Sequence, residues 1–259
     1  MISPVNQLNL ECCKNTLSRL ENGDVDVVIT SPPYNLNLRL VRGQHRSRQI
    51  DPEDFSTKYQ GFNDNLSLEE YNTFHSEILF ELLRVSKLVF YNVSIVTGSK
   101  QSIFKMIGEF SKELKEIIVW DKKHTEPAMG AGVLNRRTEL ILVFQNSDRA
   151  IYRQFKDGKF KRGTLNDIWQ IPRGKKPDIL ATHGAIMPER LVSCILENFS
   201  REGDVVYDPF MGTGTTGVVA VRMQRKFIGS ELVPEYFEVA KHRIQEEGKQ
   251  SRLVGWFND

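Results

Sequence analysis

Residues 25–35 read V-D-V-V-I-T-S-P-P-Y-N, an apolar run that ends in two consecutive prolines and a tyrosine. The run Val25–Thr30 is typical of a buried strand, because most of its residues are Val or Ile. Proline has no N–H and a fixed φ, so the chain after Ser31 is rigid and the carbonyl of Pro32 is available as an acceptor. With the Ser31 hydroxyl and the Tyr34 ring, this stretch predicts two acceptors and a stacking surface at a strand end, which suit a planar group that bears an NH₂.

Short β-rich runs alternate with helical patterns along the rest of the chain, which indicates βαβ units around a mostly parallel sheet covered on both faces. Ser67 and Glu70 match a capping box before an apolar stripe of helical spacing, and Pro188 and Pro234 each stand where a first helical turn begins. We therefore predict a single α/β domain over residues 1–259. The candidate strands are Leu8–Glu11, Val25–Thr30, Leu88–Val96, Ile117–Trp120, Thr138–Phe144, Val205–Asp208 and Phe227–Ser230.

The composition is that of an ordinary globular chain, with 40% hydrophobic and 26% charged residues in 259. No apolar stretch approaches the ~20 residues of a membrane span, so we expect no membrane association and a cytoplasmic location. Cys12, Cys13 and Cys194 have no C-x-x-C spacing, which indicates neither a disulfide framework nor a zinc or other metal site. The net charge of +2 is too small to identify a partner.

The charge is unevenly distributed, because residues 149–176 carry nine Lys and Arg side chains against two Asp side chains, a local charge of +7. Four aromatic residues, Tyr152, Phe155, Phe160 and Trp169, lie between them. Basic and aromatic residues interleaved in this way are typical of a surface that binds nucleic-acid phosphates and bases. A solvated basic loop has the same composition, so both interpretations stay open at this point.

A second unusual strand end lies near the C-terminus, where D-P-F-M-G-T-G-T-T at 208–216 continues the strand V-V-Y-D. Gly212 and Gly214 allow a tight turn and a close approach to a ligand, and the next helix presents unpaired N–H groups to a negative group. Roughly twenty residues on, Glu231 ends the following strand, where an acidic side chain commonly binds ribose hydroxyls. Together these features predict an adenosine-containing cofactor. Gly217 stands one position too early for a dinucleotide fingerprint, which argues against NAD.

The S-P-P-Y and D-P-F-M-G-T-G-T-T motifs together resemble those of the DNA amino-methyltransferases, which transfer a methyl group from S-adenosylmethionine to an exocyclic base nitrogen. The catalytic motif of that family is [DNS]-P-P-[YFW] and its cofactor motif is typically D-P-F-x-G-x-G-T-T. I-I-V-W-D-K at 117–122, R-R-T-E-L-I-L-V-F at 136–144 and H-G-A-I-M-P-E-R-L at 183–191 are similar to further family segments. The catalytic motif comes first, which is the permuted order of the β group. The resemblance implies a Rossmann-like, circularly permuted methyltransferase fold on a mixed, mostly parallel sheet of seven strands.

The resemblance also implies roles for individual residues. It implies a small target-recognition insertion at about 149–180 and a mobile loop at about 39–65. The catalytic residues would be Ser31, Pro32, Pro33 and Tyr34. The cofactor-binding residues would be Glu11, Asp208, Pro209, Phe210, Gly212, Gly214, Thr215 and Glu231. The DNA-binding residues would be Arg39, Arg42, Arg46, Arg153, Lys159, Lys161 and Arg162.

The implied substrate is double-stranded DNA, from which the target base is flipped into the site. Hydrogen bonds from its amine to Ser31 and to the Pro32 carbonyl would free the nitrogen lone pair for in-line attack, so no strong base is required. In the family, serine at the first motif position is associated mainly with N4-cytosine and aspartate mainly with N6-adenine. Ser31 therefore favours N4-cytosine methylation, with N6-adenine as the alternative and an RNA or protein amide as a more distant one.

The resemblance also bears on partners and location. Members of the β group often form homodimers, and such an enzyme can accompany a cognate restriction endonuclease. We expect a bacterial, archaeal or phage-infected cell as the source.

Overall fold

The computed structural model describes residues 6–35, 40–41, 44–45, 66–95, 100–125, 132, 134–146, 154–155, 158–173 and 186–255. Its strands are β1 (Gln7–Leu10), β2 (Val25–Thr30), β3 (Leu40–Val41), β4 (Gln44–His45), β5 (Ser86–Val93), β6 (Leu114–Asp121), β7 (Thr138–Phe144), β8 (Ile168–Gln170), β9 (Val205–Asp208) and β10 (Lys226–Glu231). Its helices are α1 (Cys13–Arg19), α2 (Leu68–Val85), α3 (Lys100–Glu109), α4 (Glu189–Phe199), α5 (Thr215–Arg222) and α6 (Pro234–Gly255).

The main sheet has the strand order β1-β10-β9-β2-β5-β7-β6-β8. The first five strands run parallel to one another, β7 is antiparallel to both of its neighbours, and β8 is parallel to β6. The sheet is therefore mixed and mostly parallel, as predicted, and all seven predicted strands are present. The eighth strand corrects the predicted count: β8 has three residues inside a basic segment, too short for a periodic pattern to indicate it.

Both faces of the sheet are covered, and the pleat of β2 shows why. Val27 and Ile29 point into a core with α4, α5 and α6, whereas Val28 points into the opposite core, which α1, α2 and α3 cover. Each such Val or Ile contributes roughly 1.5–3 kcal/mol when it is fully buried. A strand that is apolar at consecutive positions is thus stabilised only between two layers of helices.

The helix starts follow the signals in the sequence. Ser67 Oγ accepts a hydrogen bond from the Glu70 N–H at 3.2 Å, and the Glu70 carboxylate accepts one from the Ser67 N–H at 2.8 Å, so the predicted capping box at the start of α2 is confirmed. Helix α4 begins directly after Pro188, and α6 begins at Pro234. These signals therefore place three of the helices that cover the sheet.

Strands β2 and β9 are neighbours in the sheet although they lie far apart in the sequence. Ser31 follows β2 and Pro209 follows β9, so the two motifs meet at the same edge of the sheet. Ligands of open α/β sheets bind beyond the carboxyl ends of the strands, where the strand order reverses. This edge, which we call the catalytic edge, therefore contains the candidate site.

The structure describes parts of the two irregular segments. Of the predicted loop at 39–65, the structure describes the short hairpin of β3 and β4, and of the predicted insertion at 149–180 it describes residues 154–155 and 158–173. Their roles as a mobile loop and a target-recognition insertion stay predictions. Among the described helices, none combines the length and hydropathy that a membrane span requires.

Candidate cofactor and catalytic site

A cavity of about 320 Å³ opens at the catalytic edge. Pockets for small ligands and cofactors usually have about 300–1,000 Å³, so its size is sufficient for one. Of the predicted site residues, its wall contains Glu11, Ser31, Pro33, Asp208, Pro209, Phe210, Gly212, Thr215 and Glu231. The fold thus joins two motifs that are about 180 residues apart in the chain into one site.

The glycine-rich turn has a left-handed backbone where it enters α5. Gly214 has a φ of +81°, and a Cβ atom added to it would lie 2.8 Å from the Cβ of Ala240 on α6. Gly214 is not among the residues that line the described cavity, although it was predicted to bind cofactor. Its observed contribution is to let the turn close against α6, while cofactor contact by Gly214 stays a prediction.

Glu231 holds the glycine-rich turn from the neighbouring strand. Its carboxylate accepts hydrogen bonds from the backbone N–H groups of Gly212 at 2.8 Å and of Leu232 and Val233, both at 2.9 Å. Burial raises the pKa of this carboxyl, and this effect is larger than the opposing effect of the three N–H groups. An ionised carboxylate has about four acceptor positions, so one is left for a hydroxyl of a bound ribose.

Asp208 is buried and ties the two motifs together. Its carboxylate accepts from Thr30 Oγ1 at 2.9 Å, from Thr216 Oγ1 at 2.7 Å and from the Phe210 N–H at 3.1 Å. Burial raises the pKa of Asp208 to about 6. Because protein groups engage both oxygens, its observed role is to brace β2 against the turn, and its direct contact with cofactor stays a prediction.

Glu11 borders the far end of the cavity, directly after β1. Its carboxylate accepts from Thr16 Oγ1 at 2.7 Å and pairs with Arg19, and the hydrogen bond from Arg19 lowers the pKa of Glu11. The predicted contact of Glu11 with the cofactor is compatible with this position. It stays a prediction.

Apolar and aromatic side chains, most of them outside the two motifs, complete the wall. The rings of Phe74 and Phe210 lie 5.8 Å apart between centroids, and Ile78, Met187 and Tyr236 also line the cavity. A planar base needs such walls, and a ribose needs the acceptors of Glu231, so the residues fit an adenosine-containing cofactor. Phe74 and Ile78 belong to the predicted apolar stripe of α2, where the sequence pattern does not separate cavity residues from core residues.

The S-P-P-Y motif is fixed from both sides of the chain. Tyr71 of α2 donates its hydroxyl to the Pro33 carbonyl at 3.0 Å. The Asn35 side chain donates to the Leu66 carbonyl at 2.7 Å and accepts from the Leu66 N–H at 3.0 Å. Helix α2 therefore holds the rigid Pro-Pro segment in place.

Polar side chains that the sequence reasoning missed lie behind Ser31 and Tyr34. The two hydroxyl oxygens are 3.0 Å apart, and Asn92 of β5 donates to Tyr34 at 2.9 Å and to Glu139 of β7 at 2.8 Å. Glu139 also pairs with the buried Lys122 at 3.1 Å. Asn92 and Glu139 each interrupt an apolar strand sequence, and this interruption is the signal that could have identified them.

The aromatic residues of the basic segment are mostly core residues. Phe155 and Phe160 pack on Phe199 with ring centroids 5.1 and 5.4 Å apart, and Trp169 is buried with its Nε1–H bonded to the Asn166 carbonyl. These contacts correct the interpretation of the three rings as a stacking surface for bases. A short polar-looking segment can still supply large rings to a neighbouring core, which composition does not reveal.

Of the predicted DNA-binding residues, Arg39, Arg42, Arg46 and Arg153 lie outside the described part of the chain. The backbone N–H of Lys159 donates to the Asn198 carbonyl at the end of α4, and the adjacent Gly158 lines a small cavity with Lys87 at the start of β5. Lys159 thus lies near the edge opposite the catalytic edge. Lys161 and Arg162 follow it in an exposed turn. DNA contact by these seven residues is untested by the structure, and the position of Lys159 argues against its contact.

A different set of basic side chains lies at the catalytic edge. Strand β8 leads to Arg173, which is 61% exposed and 3.4 Å from the Glu139 carboxylate. Exposed Lys123 follows β6, and exposed Arg136 and Arg137 precede β7, which is paired antiparallel to it.

Within the described residues, no group of three His, Cys, Asp or Glu side chains has a metal-binding arrangement.

Comparison with known proteins finds methyltransferases among the similar sequences and folds. The Type II methyltransferase M2.DpnII of Streptococcus pneumoniae is 28% identical over 246 residues, which are 90% of this chain and 87% of that protein. The structure of the PvuII DNA methyltransferase, which is cytosine-N4-specific, has a TM-score of 0.67 at 16% identity and covers 96% of this chain and 94% of its own. M1.HpyAVI in complex with SAM has a TM-score of 0.60 at 19% identity, covering 92% of this chain and 100% of its own.

The observed fold agrees with these structural matches. Residues 25–242 match the model of the DNA methylase family of N6 and N4 methyltransferases. Because this match spans most of the chain, the protein belongs to the DNA methylase family, whose members take their methyl group from S-adenosylmethionine.

Proposed function

We propose that this protein methylates the exocyclic N4 amine of cytosine in double-stranded DNA. Ser31 is the observation that carries the proposal, because it occupies the first position of the catalytic motif and lines the cavity. Serine at this position is associated mainly with cytosine in the family, whereas aspartate is associated mainly with adenine. A hydroxyl is a sufficient partner, since the amine needs an acceptor and not a strong base.

The catalytic motif would act by positioning. The target amine donates one proton to Ser31 Oγ and the other to the Pro32 carbonyl, which makes the nitrogen more pyramidal and frees its lone pair. The Tyr71 hydroxyl holds the adjacent Pro33 carbonyl at 3.0 Å, so the acceptors do not have to reorganise during the reaction. The ring of Tyr34 would stack on the base. After transfer, the nitrogen is acidic and its proton can leave to solvent.

The cavity residues would hold S-adenosylmethionine, which supplies an electrophilic methyl group when it is bound. Glu231 would accept from a ribose hydroxyl, and Gly212 and Thr215 would contact the methionine end. Phe210 and Asp208 border that position, and Pro209 joins them in the cavity wall. Glu11 would lie near the adenine.

The target base must leave the duplex to reach Ser31, and flipping costs a few kcal/mol that contacts to phosphates and bases must offset.

The resemblance to the β group further supports a homodimer and a cognate restriction endonuclease as partners. Light scattering of the purified protein tests the dimer, and a survey of the flanking genes tests the endonuclease.

The decisive experiment is methyl transfer from labelled S-adenosylmethionine to unmethylated duplex DNA, followed by nucleoside digestion and mass spectrometry. We expect N4-methylcytosine. N6-methyladenine as the only product would overturn the inference from Ser31, and methylation of RNA or protein in place of DNA would overturn the proposed substrate.

Ser31→Ala provides the matching test of mechanism. We expect a loss of about 100-fold or more in kcat, because one of the two acceptors of the amine is removed, with affinities for cofactor and DNA nearly unchanged. Ser111→Ala is the control, since Ser111 is exposed after α3 and far from the catalytic edge. Turnover of Ser31→Ala equal to that of the control would refute the role of Ser31.

A further inference from the structure

We propose that Glu139 is a positioning residue that sets the direction of the hydrogen bond made by Ser31 and so presents the Ser31 oxygen to the target amine. The inference rests on the proposed function, because it concerns the amine that Ser31 receives. Glu139 lies on β7, more than 100 residues after the catalytic motif, and the motif itself does not include it.

A short hydrogen-bonded chain connects the two residues. Ser31 Oγ lies 3.0 Å from the Tyr34 hydroxyl oxygen, and that hydroxyl donates to Glu139 Oε2 at 3.3 Å. Asn92 supports the chain, since its Nδ2 lies 2.9 Å from the Tyr34 oxygen and 2.8 Å from Glu139 Oε2. The Glu139 side chain is 8% exposed, so water has little access to its oxygens.

The end of this chain determines its direction. An ionised carboxylate only accepts hydrogen bonds, so the single proton of Tyr34 is directed to Glu139. The Tyr34 oxygen is then the acceptor for the Ser31 proton. With its own proton engaged and Asn92 Nδ2 donating to it at 3.4 Å, the Ser31 oxygen still has a lone pair to which an amine N–H can donate. The buried Glu139 carboxylate therefore keeps the Ser31 hydroxyl oriented so that its oxygen accepts from the target amine.

The two oxygens of Glu139 have separate partners. Oε1 faces two cations, Lys122 at 3.1 Å and Arg173 at 3.4 Å, whereas Oε2 faces Tyr34 and Asn92. All four partners can donate hydrogen bonds, which matches a carboxylate whose two oxygens both act as acceptors. The two cations compensate the buried negative charge, so the carboxylate can serve the motif without leaving an unpaired charge.

Glu139→Gln tests the inference at nearly constant shape. The amide oxygen can keep facing Lys122, but the NH₂ group then faces Tyr34 and donates to it. Tyr34 would in turn donate to Ser31, and the Ser31 proton would point toward the amine instead of away from it. We expect kcat to fall about 10- to 100-fold, because an acceptor of the transition state is turned into a competing donor.

The measurements separate positioning from folding. We expect the Kd for S-adenosylmethionine and the Kd for duplex DNA to stay within about twofold of wild type. Glu116→Gln, on neighbouring β6, is the matched control and should leave kcat unchanged. Glu116 is half-buried, and within the described residues its side chain accepts only from the backbone N–H of Ile117. A Glu139→Gln enzyme with wild-type kcat would overturn the inference. If wild type itself transfers no methyl group to DNA, the proposed function fails instead.

A double variant tests the route through Tyr34. Tyr34→Phe keeps the ring and removes the hydroxyl, and we expect about a tenfold loss of kcat with cofactor affinity retained. The double variant Tyr34→Phe/Glu139→Gln should then be no slower than the slower single variant, since both changes break one chain. Independent, multiplicative losses would contradict the route. If Glu139→Gln does not fold, unchanged kcat in Tyr34→Phe alone would also overturn it.

Discussion

Asp208 connects the catalytic and cofactor motifs at the scale of a single residue. Thr30 at the end of β2 and Thr216 at the start of α5 both donate to its carboxylate, so one side chain fixes the distance between the two motifs. This side chain is almost fully buried, and burial disfavours its charged form. Burial of the charged Asp208 carboxylate therefore lowers the free energy of unfolding by an amount that depends on pH.

The free-energy cost of burying Asp208 should change with pH. Burial raises the pKa of Asp208 from 3.8 to about 6, so the native state binds this proton more tightly than the unfolded state does. The contribution of Asp208 to stability is thus complete below about pH 4 and is lost as the pH rises through about 6. We expect the free energy of unfolding of wild type, relative to Asp208→Asn, to fall on the order of 2 kcal/mol over this range.

Urea unfolding of both proteins at about pH 4.5, 6 and 7.5 measures the difference. Taking wild type relative to the variant cancels the titration of the other carboxyl groups. A difference that is constant across these pH values would contradict a raised pKa for Asp208.

At the scale of elements, the glycine-rich turn and α6 form one packed unit. Gly214 has a φ of +81°, and a Cβ there would meet Ala240 at 2.8 Å and the Ile244 side chain at 3.2 Å. Gly214→Ala therefore combines about 1–2 kcal/mol of left-handed strain with a clash against a neighbouring helix. We expect a loss of about 2–4 kcal/mol in stability and at least tenfold weaker binding of S-adenosylmethionine, because the turn moves away from the cavity.

Gly248→Ala is the matched control for this prediction. Gly248 lies on α6, and among the described residues a Cβ there meets only Val221 Cγ1, at an ordinary 3.7 Å. Alanine is the better helix former by about 1 kcal/mol, so this variant should be as stable as wild type or more so. Thermal melts and cofactor titrations compare both variants, and equal behaviour would contradict the packing role of Gly214.

Elements with a strong local signal were predictable from the sequence. The apolar run of β2, the capping box of α2 and the glycine-rich turn each depend on neighbouring residues, and all three are confirmed. Strand β8 was not predictable, because its three residues pair with the end of β6 and have no pattern of their own. The Asn92–Glu139 contact was not predictable either. It depends on the register between β5 and β7, which no local sequence pattern indicates.

At the scale of the whole molecule, the sheet separates two groups of basic residues that the sequence places together. Arg173 and Lys159 belong to the same +7 segment. In the structure, Arg173 lies at the catalytic edge beside Glu139, whereas the backbone of Lys159 is bonded to Asn198 near the opposite edge. A base flipped toward Ser31 brings the adjacent phosphates to the catalytic edge, so the two residues should differ in their contribution to DNA binding.

The last prediction compares these two residues in equilibrium binding of duplex DNA at several salt concentrations. Arg173→Ala should weaken binding about 3- to 10-fold and reduce the slope of log K against log salt by about 1, as expected for a lost phosphate contact. Lys159→Ala should stay within about twofold of wild type with an unchanged slope. Both side chains are exposed, and Lys122 still pairs with Glu139 at 3.1 Å when Arg173 is removed, so both variants should stay folded. If Lys159→Ala weakens binding as much as Arg173→Ala, the DNA extends across the opposite edge and the whole +7 segment acts as the contact surface.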